Sequence, residues 1–128
     1  MTKVLSKLED FAFLAENDSN FSQSVPAQEI LAAVDSKYAE TNKFMPQGTT
    51  AADAWISRHG NPLFSEGSAL TLIDEMIKDN VIQMERTSDT AWVVLGTQHC
   101  QVEMRAITLP VALVGALCLY LFQMEQEV

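Results

Sequence analysis

Leu109-Pro110-Val111-Ala112-Leu113-Val114-Gly115-Ala116-Leu117-Cys118-Leu119-Tyr120-Leu121-Phe122 contains no charged and no strongly polar side chain. How this run is buried decides the fold. It reads either as a short membrane anchor or as the central helix of a core. The wider uncharged run, Ala106 to Met124, approaches the roughly 20 apolar residues that a span needs. Thr108, Pro110 and Gln123 trim it, and Leu109 to Phe122 reaches only about 21 Å at the helical rise per residue. No basic cluster flanks it: Arg105 precedes it, and Glu125 and Glu127 follow. Ala112, Gly115 and Ala116 recur at three- and four-residue spacing, as in a helix pressed close against a sheet. Gly115 would cost about 1 kcal/mol relative to alanine in mid-helix, so close packing is the reason to expect it there. Thr108 can cap this helix and Pro110 fits its first turn, which predicts a core helix to about Met124.

Just upstream lie three strand signals. Val81 to Arg86 alternates, with Ile82 and Met84 opposite Gln83 and Glu85. Ala91 to Leu95 is apolar on both faces, as in a central strand covered on both sides. Cys100 to Arg105 places Cys100, Val102 and Met104 opposite Gln101, Glu103 and Arg105. The short connections predict an antiparallel meander.

Four helices are expected before the strands. Residues 3–15 carry an apolar stripe of Val4, Leu5, Leu8, Phe11, Ala12 and Ala15. Asn17 to Asn20 end that helix, and Phe21 and Val25 dock from the following loop. A second helix opens at Pro26 and buries Ile30, Leu31, Val34 and Tyr38. Thr49 or Thr50 caps a third through Arg58, which buries Ala52, Trp55 and Ile56. Ser65 or Ser68 caps a fourth to about Asp79, lined by Leu70, Ile73, Met76 and Ile77. The expected class is α+β: helices packed on a three-stranded antiparallel β-meander, an αβββα core over 44–128, with an N-terminal helical extension over 1–43.

The chain of 128 residues suits one compact unit. Its net charge of −9, from 17 acidic and 8 basic side chains, argues against direct nucleic-acid binding. The same charge favours attraction to basic surfaces. Cys100 and Cys118 are too few for a disulfide framework, and both lie in apolar runs. Glu9 and Asp10 interrupt any signal-like pattern, so a cytoplasmic location is expected.

Read in order, the second half contains Phe64-Ser65, Leu72-Ile73-Asp74-Glu75-Met76 and Trp92-Val93-Val94. Then follow Ala106-Ile107-Thr108-Leu109-Pro110-Val111-Ala112-Leu113 and Gly115-Ala116-Leu117. This pattern resembles the small phage and prophage proteins of the phage αβα-sandwich family and the related NinX-like proteins. The segment Phe44 to Trp55, with Pro46 and Ala52-Asp53-Ala54-Trp55, looks like the P…A-D-A-W phrase of the NinX-like members. The resemblance leaves out residues 1–43 and rests mostly on hydrophobic motifs. It implies a mobile-element setting and carries over no activity, cofactor or site residue. Double-stranded RNA-binding domains share the helix–three strands–helix order. Here Thr108, Leu109, Pro110 and Val111 stand where such a domain needs phosphate-binding lysines.

Candidate chemistry is sparse. Asp53 and His59 would suit a general base, but they stand six residues apart, and His59 reads as a helix C-terminal residue favoured by the dipole. His99 and Cys100 would point to opposite faces of a strand, and no further cluster completes a zinc set. The five glycines are scattered, so there is no phosphate loop. No catalytic residue, cofactor or metal is therefore assigned. Asp74, Glu75 and Asp79, with Glu16 and Asp18, are the candidate partner-binding residues, although each group alone reads as a solvated helix face. Trp55, Phe21, Phe44 and Phe64 are candidate exposed contacts, against core packing as the more frequent fate.

The leading expectation is an acidic phage or prophage accessory protein that binds a host protein. The expected partner is a nucleic-acid-binding defence effector, inhibited through charge mimicry. One alternative is a nucleotide-sequestering protein or small enzyme, which needs Arg58, His59, Arg86 or Arg105 to converge on a pocket. Another is membrane association through 107–124. Exposed sheet edges make a homo-oligomer a further expectation.

Overall fold

The computed structural model describes residues 3–41 and 49–126, with the side chains of 3–6 and 126 outside that description. Helix α1 (Lys3–Asn17), the single turn α2 (Phe21–Ser24) and α3 (Ala27–Val34) lead to a 3-10 turn (Ser36–Ala39). Next come α4 (Ala51–His59), α5 (Glu66–Met76), and strands β1 (Val81–Arg86), β2 (Ala91–Gly96) and β3 (Gln101–Ala106). Helix α6 (Leu109–Gln126) follows the sheet. The strands form one antiparallel sheet in the order β1-β2-β3, with helices packed on it. This is the α+β meander expected from the sequence.

The register explains which side chains enter the core. Val93 pairs with Met84 on one side and Met104 on the other, and Leu95 pairs with Ile82 and Val102. Directly paired residues share a face. On β2 and β3 that face is sealed: Ala91, Val93, Leu95, Val102, Met104 and Ala106 are all buried. At the β1 edge it is not, and Met84 remains 43% exposed. Helix α6 lies over β2 and β3.

The opposite face corrects the reading of β2 as a strand covered on both sides. Trp92 and Val94 are only half-buried, beside exposed Gln83, Glu85, Gln101, Glu103 and Arg105. Trp92 is held by its neighbours within the sheet: its indole N–H donates to Glu103 Oε1 at 2.6 Å. A Trp on an open face needs a partner for its polar end, and long cross-strand side chains supply one without a second helical layer.

Helix α6 is buried continuously from Val111 to Cys118. A helix apolar on every side needs cover on every side. The sheet covers one side, and α1 and α5 pack on the helix as well. Leu113 and Leu117 are fully buried, each worth roughly 1.5–3 kcal/mol of transfer free energy. Among the described residues, no helix is long and apolar enough to cross a membrane. Helix α1 also touches β3, and Leu8, Phe11, Ala12 and Ala15 belong to the same core cluster as α6. Phe21, fully buried, meets Phe11 edge-on with centroids 6.5 Å apart. The N-terminal helices thus form part of the core wall.

Two helix ends and one strand start differ from expectation. Helix α3 stops at Val34, because the Asp35 side chain accepts the Lys37 N–H and starts the 3-10 turn. Tyr38 is buried from that turn rather than from a continuous helix. Helix α5 ends at Met76, short of Asp79, which takes a left-handed φ of 57° while Asn80 Nδ2 caps the Ile77 carbonyl. His99 and Cys100 lie in the turn before β3, where the Thr97 N–H reaches the Cys100 carbonyl at 2.8 Å.

Helix α4 starts with a reciprocal capping box. Thr50 Oγ1 accepts the Asp53 N–H at 3.2 Å, and Asp53 Oδ2 accepts the Thr50 N–H at 3.0 Å. Gln28 Nε2 of α3 donates to Asp53 Oδ1 at 3.0 Å, tying the two helices together. These bonds, the Thr50 backbone N–H foremost, hold the Asp53 carboxyl below its usual range. A depressed carboxyl pKa stabilises the fold above the unfolded value, and the effect is lost as pH falls through the folded value. Asp53→Ala is expected to cost about 1 kcal/mol near neutral pH and much less in acid, measured by urea denaturation in both conditions. An equal cost in acid would mean that the carboxylate charge has no part in the cap.

Candidate functional site

Helices α4 and α5 and the 3-10 turn meet around one carboxylate. Glu75 lies on α5, Trp55 and His59 are one helical turn apart on α4, and Tyr38 comes from the turn. Tyr38 Oη donates to Glu75 Oε2 at 3.0 Å, and Trp55 Nε1 donates to the same oxygen at 2.8 Å. The other oxygen, Oε1, lies 4.0 Å from His59 Nε2. The His59 ring tilts 47° against the Trp55 indole, with centroids 4.7 Å apart. Tyr38 and Trp55 are buried, while Glu75 and His59 reach solvent through an open cleft of about 420 Å³. Lys37, Arg58, Ala51 and Ala54 line the rest of that cleft.

Local structure makes this arrangement stiff. Gly60 ends α4 at φ 93°, a left-handed conformation that suits glycine. Ser68 Oγ of α5 donates to the His59 carbonyl, locking the end of α4 onto α5. A Cβ at position 60 would come within 2.7 Å of that hydroxyl. Burial, then the hydrogen bond and charge of Glu75, push the Tyr38 phenol well above its ordinary pKa. Tyr38 therefore acts as a fixed neutral donor. The cleft holds two neutral donors on one carboxylate oxygen, an imidazole near the other, and cationic side chains at the rim.

The acidic candidates fare differently from one another. Asp74, Glu75 and Asp79 cluster at the end of α5, whereas Glu16 and Asp18 lie at the end of α1. Asp74 accepts from Asn80 Nδ2 at 2.8 Å, and Asp18 accepts the Asn20 N–H at 2.9 Å in the turn after α1. Glu16 and Asp79 are exposed. Glu75 is not merely part of a solvated face, since it organises the cleft. Of Arg58, His59, Arg86 and Arg105, the first two converge there, joined by Lys37. Arg86 pairs with Glu66 at 3.5 Å and Arg105 with Glu103 at 3.8 Å, each elsewhere. Asp53 sits at the opposite end of α4 from His59.

Phe21 and Trp55 are core side chains, Phe44 lies outside the described residues, and Phe64 is 61% exposed. Phe64 lines a shallow groove of about 340 Å³ with Ile107, itself 51% exposed, and with Leu109 and Pro110. The Arg86–Glu66 ion pair borders this groove next to β1, an edge strand. Burial pushes the Cys118 thiol up to about 12, so it is an inert core side chain. Among the described residues, no three His, Cys, Asp or Glu side chains are grouped as metal ligands.

Tyr38, Trp55 and Glu75 were not recognisable as a set from the sequence, because 37 and 20 residues separate the bonded pairs. One signal was present: buried Tyr and Trp need acceptors for their polar ends. Searches against protein-family profiles, curated proteins and solved structures find no match to this chain.

Proposed function

We propose that this protein acts by binding another protein that presents a basic surface, with the Phe64–Ile107 groove as the apolar anchor. The observation that carries this reading is the exposure of both side chains in one groove with a charged rim. Exposed apolar side chains set within a polar rim have the anatomy of a small interaction site. The net charge of −9 selects a basic partner and speeds the encounter. The resemblance to small phage proteins extends the proposal to a host partner: a nucleic-acid-binding defence effector whose groove the acidic surface occupies. Glu16 on the last turn of α1 and Asp79 in the turn before β1, both exposed, supply part of that surface.

The test is affinity capture from host cells during expression, at low and high salt, with wild-type protein and Phe64→Ser. A reproducible basic partner should be captured by the wild type, released by salt and lost with the substitution. Duplex nucleic acid should compete for it. Capture that ignores both salt and the substitution would overturn the reading. Salt-insensitive self-association through the edge of β1 would replace it with a homo-oligomer.

A further inference from the structure

The cleft between α4 and α5 uses neither the groove nor the open sheet face, and its charges are arranged in an unusual way. Lys37 and Arg58 bring two positive charges to the lining and Glu75 one negative charge, while Lys37 Nζ also lies 3.9 Å from Asp35 outside it. Among the described residues, no carboxylate lies within 4.0 Å of Arg58. Arg58, exposed on the last turn of α4, is thus open to an anionic group of a ligand. Glu75 is the converse. Its Oε2 is occupied by Tyr38 and Trp55, whereas no donor among the described residues reaches Oε1 within hydrogen-bond distance.

Oε1 and the His59 Nε2 face each other across 4.0 Å. That gap is too wide for a hydrogen bond between them. It suits a bridging ammonium, which can donate to two acceptors at about 2.8–3.0 Å each. A simple anion would meet the Glu75 carboxylate, and a simple cation would meet Arg58 and Lys37. A small molecule carrying both charges satisfies both ends. The small side chains of Ala51 and Ala54 also line the cleft, whose volume of about 420 Å³ leaves room for a short aliphatic body.

We propose that this cleft binds a small zwitterion of the α-amino-acid class. Its ammonium bridges Glu75 Oε1 and His59 Nε2, and its carboxylate pairs with the Arg58 guanidinium. Tyr38 and Trp55 are positioning residues: they hold the carboxylate so that Oε1 stays turned to the cleft. The Trp55 indole N–H, bonded to Glu75, is a built-in reporter of occupancy.

The test is a titration of the full chain with L-alanine, propionate and ethylamine, followed by the Trp55 indole resonance in proton–nitrogen NMR. Propionate and ethylamine each carry one of the two charged groups of alanine. L-Alanine should give a saturable shift, with the two half-ligands at least roughly tenfold weaker, as loss of one charged hydrogen bond requires. Arg58→Gln and Glu75→Gln should each weaken alanine by roughly tenfold or more. Glu75→Gln keeps a side-chain oxygen for Tyr38 and Trp55, so it separates binding from folding, and thermal melts check that both variants are folded. Phe64→Ser should leave alanine binding unchanged, which keeps this test independent of the protein-binding groove. The proposal is overturned if no saturable shift occurs up to about 0.1 M, a limit beyond ordinary ligand affinity. It is equally overturned if propionate or ethylamine matches alanine, or if both cleft variants bind as the wild type does.

Discussion

Gly115→Leu is expected to destabilise the fold by about 3 kcal/mol or more, a large share of the total for a domain of this size. A Cβ at position 115 would stand 2.7 Å from the Ala15 Cβ and 3.2 Å from Met104 Sδ. Carbon atoms in ordinary contact are about 3.5–4.0 Å apart. Met104 can yield, because its side chain is long and flexible. Ala15 cannot: its Cβ is fixed to the backbone of α1, and the residue is buried. Helix α1 would have to move off α6, loosening Leu8, Phe11 and Ala12 in the same core cluster. Gly115→Ala sets two effects against each other. Helix propensity would gain about 1 kcal/mol, while overpacking typically costs about 1–3 kcal/mol. The clash is with a rigid neighbour, so a net loss of about 1 kcal/mol is expected. Adding Ala15→Gly should recover part of it, giving a coupling of about 1 kcal/mol in a double-mutant cycle. Urea denaturation with an unchanged slope is the measurement. A Gly115→Ala variant at least as stable as the wild type would remove the argument that the two helices cross at contact distance.

That crossing marks how far the sequence could be read. The apolar run around Gly115 predicted a buried helix, and its small residues predicted close approach. The identity of the approaching element was not legible: Gly115 meets α1 as well as the sheet. Periodicity shows which face of a helix is buried, and it carries no information on what lies opposite. The strands were legible for the same reason, since Val102 and Met104 alternate with charged residues. The reading of β2 failed because Trp92 and Val94 are apolar on a face that no helix among the described residues covers; their polar neighbours across the strands shelter them. The cleft was least legible. Acids at 74 and 75 look alike in sequence, yet Asp74 accepts from Asn80 whereas Glu75 accepts from Tyr38 and Trp55. The difference depends on the angle between α4 and α5, which tertiary packing sets.

Glu75→Leu tests that geometry, with an expected loss of about 2–3 kcal/mol. The substitution leaves the Tyr38 hydroxyl and the Trp55 N–H without their shared acceptor. Each buried donor left unpaired costs about 1–3 kcal/mol. Water entering the open cleft can serve one of them, which keeps the expected sum near the lower end. Glu75→Gln retains a carbonyl oxygen for both donors and is expected to cost no more than about 1 kcal/mol. Tyr38→Phe should be costly in the wild type and nearly neutral beside Glu75→Leu, because the hydroxyl then has no acceptor left to lose, while the Trp55 N–H is unpaired in both backgrounds. The pH dependence has a definite sign. Tyr38 has a raised phenol pKa in the folded state, caused by burial first and by Glu75 next. The stability tied to the protonated phenol is complete below the ordinary tyrosine value of about 10 and declines as pH rises beyond it. Without the Glu75 carboxylate, the folded state resists phenolate formation less. The stability gap between the wild type and Glu75→Leu should therefore narrow in alkali, measured by urea denaturation at neutral and alkaline pH. Equal stability of the leucine and glutamine variants at neutral pH would show that Glu75 is a solvated surface acid after all. A gap that stays constant into alkali would show that its charge does not act on Tyr38.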